Sequence, residues 1–199
     1  MKKVKLFGLI PILHAYEYRN GVKYYFCGIM ILKVKRYHKF DAYNNMWTKQ
    51  IYKTCKCGKN LYCGGPTELT PQCELADDVC FNGCAVHGDG RVKIGRSFHS
   101  GVELLIITRS HNYDHGEHIP YSSEDYIRKD VEIGDFVWVG SRVTILPGTK
   151  IGEGAIIQAG AVVHGEIPPL AIAGGNPAKV FKYRDEKHFY DLKAKGKFN

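Results

Sequence analysis

Apolar residues in the C-terminal half of the chain recur every six positions. From Ile133 to Pro168 the chain reads IGDFVW, VGSRVT, ILPGTK, IGEGAI, IQAGAV, VHGEIP. Each unit opens with Ile or Val (Ile133, Val139, Ile145, Ile151, Ile157, Val163), and four residues later stands a small or β-branched residue (Val137, Val143, Thr149, Ala155, Ala161, Ile167). A period of six fits neither an α-helix, at about 3.6 residues per turn, nor a two-faced strand. It fits one side of a triangular coil, a short strand and then a corner where Gly or Asp accepts unusual backbone angles. Three sides make one turn. Successive turns then stack as parallel strands roughly 4.8 Å apart, each burying its apolar edge on its neighbours. The pattern predicts an all-β solenoid, a parallel β-helix.

The same frame runs upstream. Cys57, Cys63, Leu69, Leu75, Phe81 and His87 lead units, with Leu61, Thr67, Cys73, Val79 and Ala85 in the inward slot four residues on. The unit HGDGRV breaks the pattern at Arg91, and the frame resumes one residue late at Ile94, Ser100 and Ile106. This predicts one extra residue in a Gly-rich corner between His87 and Lys93. The units amount to about five coils within residues 55–183. They are interrupted by a polar excursion, residues 112–132, that leaves the coil as a loop; loops of this length in compact domains are usually functional.

Residues 1–54 carry no repeat. Val4 to Leu13 and Tyr24 to Val34 are apolar and aromatic, broken by Gly8, Pro11, Asn20-Gly21 and Gly28. They read as short helices forming an N-terminal α-helical cap over an otherwise exposed coil end. Residues 184–199 follow an exit strand and read as a short C-terminal helix, with Asp185 as N-cap and Phe189 and Leu192 on an apolar face.

The hexapeptides, followed by AGGNPAKV (Ala173 to Val180), resemble the hexapeptide-repeat acyltransferases, closest in look to sugar O-acetyltransferases of the maltose/galactoside and capsule/lipopolysaccharide type. The resemblance implies a left-handed parallel β-helix, an exception to the usual right-handed crossover. It also implies acetyl-CoA as cosubstrate, a sugar acceptor and a homotrimer with active sites between subunits.

Charge and cysteine content refine this picture. The net charge of +8 favours an anionic partner, and no nucleic-acid-binding module accompanies it, so no nucleic acid is expected. Seven cysteines form no paired framework. Cys57, Cys63 and Cys73 occupy inward slots, where reduced thiols serve as small hydrophobes. A zinc site at Cys55, Cys57 and Cys63 is the sharper alternative, but its C-x-C spacing is not the usual C-x-x-C knuckle; no metal is expected. No signal peptide is evident, and no apolar run reaches the roughly 20 residues of a spanning helix. A cytoplasmic location is expected. Lys33, Lys35, Arg36, His38 and Lys39 beside aromatic residues leave membrane-surface association as an alternative.

Acyl transfer from a thioester to a hydroxyl needs a base within hydrogen-bond reach of the attacking oxygen, and a neutral histidine supplies it. Among nine histidines, His111 stands where the excursion leaves the coil, in ITRSHNYDH. In the resembling enzymes the base sits at such a place; His115 and His118 are its rivals. The resemblance further implies acceptor binding by Asn82 in CFNGCAV and by Asp89, both of which also read as plain corner residues. It lays the cosubstrate along Ser141 and Ala159, one coil apart, with His164 and Gly165 continuing the track and Trp138 packing on the cosubstrate or a neighbouring subunit. Lys179 and Lys182 would face its phosphates as charges without a bidentate fork. Tyr113, Tyr121 and Tyr126 in the excursion offer faces on which sugars stack.

Three other functions remain open from the sequence. A γ-type carbonic anhydrase would draw on His87, His111, His115 and His118 as zinc ligands. The others are N-acetylation of an amino sugar and a non-catalytic β-helical assembly subunit.

Overall fold

In a computed structural model the backbone is described for residues 2–6, 10–18, 21–26, 29–35 and 39–198, and side chains from Met46 to Phe198. The chain divides into two compact units, Met1–Ala42 and Tyr43–Asn199.

The first unit corrects the expectation of short helices. Lys2–Leu6, Ile10–Tyr18, Gly21–Phe26 and Ile29–Lys35 form a four-stranded antiparallel sheet in chain order. The reason is legible in YEYRNGVKYYF. An Asn-Gly pair between runs of aromatic and β-branched residues is a strong hairpin signal, because that turn matches the twist of the strands it joins. Across this hairpin Tyr18 pairs with Gly21. A single helix, Lys39–Thr54, follows. The side chains behind the membrane-surface alternative lie outside the described residues.

The second unit is the solenoid, built of three parallel sheets. The first face stacks strands at 56–57, 73–75, 92–94, 131–133, 150–151 and 166–167. The second stacks 62–63, 80–81, 99–100, 138–139, 156–157 and 171–175, and the third 67–68, 84–87, 104–107, 144–145 and 162–163. Five coils are complete and a sixth has two sides, in keeping with the repeat count.

The leading residues point inward. Ile133, Val139, Ile145, Ile151, Ile157 and Val163 are all buried, as are the residues four positions on, from Val137 to Ile167. Each fully buried Val or Ile contributes roughly 1.5–3 kcal/mol relative to exposure. Cys63 and Cys73 lie in the same core, and all described cysteines are free thiols.

The frame slip has a different origin from the one expected. Val86 and Cys84 face the core, while Ala85 and His87 do not. Val86 pairs with Ile106, and Ile94 with Leu75. The step from Phe81 to Val86 is thus one residue short, at Asn82-Gly83, where Gly83 has φ +131°. The step from Val86 to Ile94 is two residues long, through Gly88 and Gly90. The net gain of one residue is what the sequence displays, and His87 is left outside.

The outer surfaces differ by face. Down the first face run Lys56, Glu74, Lys93, Glu132, Lys150 and Glu166, alternating in sign between neighbouring strands. Such opposite charges pair favourably across a ladder and suit a surface in water. Down the third face run Glu68, Ala85, Leu105, Thr144 and Val162, nearly uncharged.

Both solenoid ends are closed. At the N-terminal end the amides of Leu61 and Cys63 have no preceding coil to receive them. The helix supplies acceptors, Tyr52 OH to Leu61 N at 3.2 Å and Thr48 Oγ1 to Cys63 N at 3.1 Å, and buries Ile51 in the core. At the other end Ala178–Tyr183 turns back antiparallel on Ala171–Gly175. The helix Glu186–Ala194 follows, capped by Asp185, whose carboxylate accepts from His188 N at 2.8 Å.

Candidate active site

The excursion leaves the third face at Thr108 and returns at Lys129, and the bond from Lys129 N to Thr108 O, 2.9 Å, closes its neck. Thr108 is fully buried. Its hydroxyl donates to His87 O (3.2 Å) and accepts from Gly90 N (3.1 Å), fixing the long corner to the same point. Gly88 and Gly90 are required there: a β-carbon on either would stand within 3 Å of Thr108 side-chain atoms.

Beyond the neck, Arg109–His111 and Tyr126–Arg128 form an antiparallel ribbon with His111 opposite Tyr126 and Arg109 opposite Arg128. Between ribbon and coil lies an open cleft of about 450 Å³, bordered by His87, Gly88, Ile107, Arg109, His111 and Tyr126. His111 is half-buried there, whereas His115 and His118 stand exposed in the loop and do not border the cleft.

Asp89 anchors the ribbon to the corner. It accepts from Arg128 Nε at 2.7 Å and lies 3.8 Å from Arg109 Nη1. The hydrogen bond from Arg128 holds its carboxyl below the usual carboxylate range, with the Arg128 and Arg109 charges adding to the effect. Arg109 in turn lies 4.4 Å above the Tyr126 ring, a cation–π contact.

The remaining predicted residues lie elsewhere on the coil. Asn82, Ser141 and Ala159 share the corner between second and third faces. Asn82 Nδ2 donates to Ser100 O at 2.8 Å, and Ser141 Oγ accepts from Val102 N at 3.2 Å. Gly140 packs so closely there that a β-carbon would meet Ala159 N at 2.5 Å, while Gly160 faces open space. His164 and Gly165 sit at the next corner, between third and first faces, on the edge that carries His111. Within one chain they do not continue the Ser141–Ala159 track: a track along one edge advances by a full coil, and the five residues from 159 to 164 cross one side. Trp138 belongs to the outer ladder of the second face and is 54% exposed. Lys179 and Lys182 are exposed on the final strand.

Arg109 and Arg128 were not among the expected site residues, and His87 was expected only as a zinc ligand of the carbonic-anhydrase alternative. His87 was hidden by the frame slip, and the arginines gave no signal beyond their nearness to His111 in sequence. Among the described residues, no three His, Cys, Asp or Glu side chains group so as to hold a metal ion, and no helix is long and apolar enough to cross a membrane.

The model of the bacterial transferase hexapeptide, six repeats, matches residues 130–165. A putative acetyltransferase of Bacillus subtilis, YvoF, is 44% identical over 157 residues, 79% of this chain and 76% of its own length. The chain belongs to the hexapeptide-repeat acetyltransferases. Its repeat fits the left-handed β-helix of that family. WbbJ of Escherichia coli, a putative lipopolysaccharide biosynthesis O-acetyltransferase, is 35% identical over 107 residues, 50% of this chain and 55% of that one. A solved galactoside acetyltransferase, in complex with coenzyme A, shares the fold with a TM-score of 0.54 at 22% identity, covering 68% of this chain and 67% of its own.

Proposed function

We propose that this hexapeptide-repeat acetyltransferase transfers an acetyl group from acetyl-CoA to a sugar hydroxyl, of a cell-surface polysaccharide or its precursor, in the cytoplasm. The observation that carries the reading is His111 at the closed neck of the excursion, bordering a cleft large enough for a sugar ring. The O-acetyltransferase relative WbbJ supports the acceptor class.

His111 accepts the proton of the acceptor hydroxyl as its oxygen attacks the thioester carbonyl. The tetrahedral intermediate collapses with cleavage of the C–S bond, and the imidazolium returns the proton to the departing thiolate. Asp89 and Asn82 hold the acceptor. The pantetheine arm lies along Ser141 and Ala159, where the backbone N–H of Ser141 stabilises the oxyanion. Lys179 and Lys182 meet the phosphates.

These groups occupy two edges of one chain with the third face between them. A homotrimer joins them: the nearly uncharged third face packs against a second copy, while the charge-laddered first face stays in water. The His111 edge of one copy, with His164 and Gly165, then meets the Ser141–Ala159 edge of the next.

The test is thiol release from acetyl-CoA with a panel of sugars, nucleotide-sugars and amino sugars, for the wild type and His111→Ala. A sugar-dependent rate that falls by roughly 10²–10⁴ in the variant is expected. Wild-type turnover in His111→Ala overturns the assignment, and acetylation confined to amino sugars replaces the hydroxyl acceptor with an amine.

A further inference from the structure

The Nδ1 atom of His111 is buried and has no hydrogen-bond partner among the described residues. A base histidine is normally set in place by the bond its far nitrogen makes, so something else must hold this ring. Two tyrosines flank it. Tyr121 lies face to face with the imidazole, ring centroids 3.8 Å apart and planes 16° from parallel. Tyr126 lies 4.6 Å away at 38°.

Both tyrosines are themselves fixed. Tyr126 is opposite His111 in the ribbon, under the Arg109 guanidinium. Tyr121 belongs to the excursion, which is braced across its width. Asn112 Nδ2 donates to Asp125 Oδ2 and Glu117 N donates to Ser122 Oγ, each at 2.7 Å. Asn112 N also donates to Asp125 O at 3.1 Å. Gly116 allows the close approach these braces need, since a β-carbon there would stand 2.7 Å from Asn112 O and 2.8 Å from Ser122 Oγ.

We propose that Tyr121 and Tyr126 are positioning residues that orient the His111 ring by stacking, in place of a hydrogen bond to Nδ1. The proposal rests on His111 being the base. An imidazole held between two aromatic rings cannot turn about its Cβ–Cγ bond without giving up both contacts. Its plane is then fixed against the cleft before the acceptor arrives, and pre-set geometry of this kind is a main source of rate in proton transfer to a bound nucleophile. It also gives the excursion a role at the reacting atoms.

The experiment compares Tyr121→Ala, Tyr121→Leu, Tyr121→Phe and Tyr126→Ala with the wild type and His111→Ala. It reads kcat and KM for both substrates and the histidine Cε1 proton resonances, His111→Ala identifying the one that belongs to His111. In the wild type that resonance is displaced by the ring currents of the two tyrosines. Tyr121→Ala and Tyr121→Leu should shift it and lower kcat about tenfold, with the acetyl-CoA KM within about twofold. Tyr121→Leu separates stacking from mere filling of the loop, and Tyr121→Phe should restore both rate and resonance. A resonance that Tyr121→Leu leaves in place, or a Tyr121→Phe rate as low as that of Tyr121→Ala, overturns the proposal. Full activity in His111→Ala overturns the base assignment, and the positioning role with it, even where the resonances still report a stack.

Discussion

The ring of Phe189 lies against the backbone of Gly154, so closely that a β-carbon on the glycine would stand 2.8 Å from two ring carbons. Gly154 adopts φ +68°, at the corner between first and second faces. Arg184 braces the same contact: its guanidinium carbon lies 5.0 Å above the Phe189 ring while Nη1 donates to Gly154 O at 3.2 Å. An ion pair between Lys193 and Glu153 completes the seat of the C-terminal helix.

Gly154→Ala should therefore unseat that helix. The added methyl group overpacks against Phe189 and the alanine is strained at positive φ, together costing about 1–4 kcal/mol. Thermal melting should show a lowered Tm. Acetyl transfer below the transition should be unchanged, because this corner is not the one that carries His111. An unaltered Tm would mean that Phe189 does not rest on this glycine in solution.

The fold was legible because a six-residue period has one cheap structural solution, and every leading aliphatic from Ile133 to Val163 is buried as the period requires. Two features escaped it. The shortened corner at Asn82-Gly83 and the lengthened one at Gly88–Gly90 have opposite signs, and only their sum shows in the sequence; this put His87 in the core when it borders the cleft. In the N-terminal segment the Gly and Pro interruptions suit short helices as well as strands, and the Asn-Gly pair at its centre is the hairpin signal that decides between them. The site was partly legible. Position in the frame singles out His111, and Asp89 holds the ribbon that carries it through Arg128. What holds the imidazole was not legible, since Tyr121 comes from an excursion with no period to place it.

Lys179 and Lys182 extend from the final strand into solvent. Lys179→Ala and Lys182→Ala should each raise the KM for acetyl-CoA and leave the acceptor KM unchanged. An exposed charge–phosphate contact is worth about 1 kcal/mol or less and is screened by salt, so each rise should be several-fold in dilute buffer and shrink near 0.5 M salt. Initial rates at two salt concentrations check both points. An effect confined to the acceptor KM would remove these lysines from the cosubstrate track.

Acid should loosen the ribbon through Asp89. Its carboxyl is held below the usual range, first by the Arg128 hydrogen bond. The folded value thus lies below the unfolded one, about 3.9. For a depressed acid, the stabilisation is present above the unfolded pKa and is lost as pH falls through the folded one. Melting temperatures of the wild type and Asp89→Asn should differ at pH 6, and the gap should narrow as pH falls below about 4 and close once the folded carboxyl is protonated. A gap that stays constant over that range would mean that the Arg128 pair does not persist in solution.

Replacing residues 113–124 with a short Gly/Ser link tests what the excursion is for. Asn112 and Asp125 are hydrogen-bonded to each other through backbone and side chains, so a short link joins them without disturbing the ribbon. The coils on either side of the neck are already in register, Val92 with Val131 and Leu105 with Thr144, and stack without help from the loop. The β-helix should consequently keep its Tm to within a few degrees, as surface loops tolerate changes in length, and acetyl-CoA should still bind. Acetylation of the sugar should be lost, because Tyr121 leaves the imidazole and the acidic and aromatic side chains facing the acceptor go with it. Calorimetric titration with acetyl-CoA, the thiol-release assay and light scattering on the same sample separate the outcomes. Retained cosubstrate binding without turnover, at unchanged molecular mass, places the excursion's role at the imidazole and the acceptor rather than between copies. A fall in mass relative to the wild type would instead make the excursion a contact between copies.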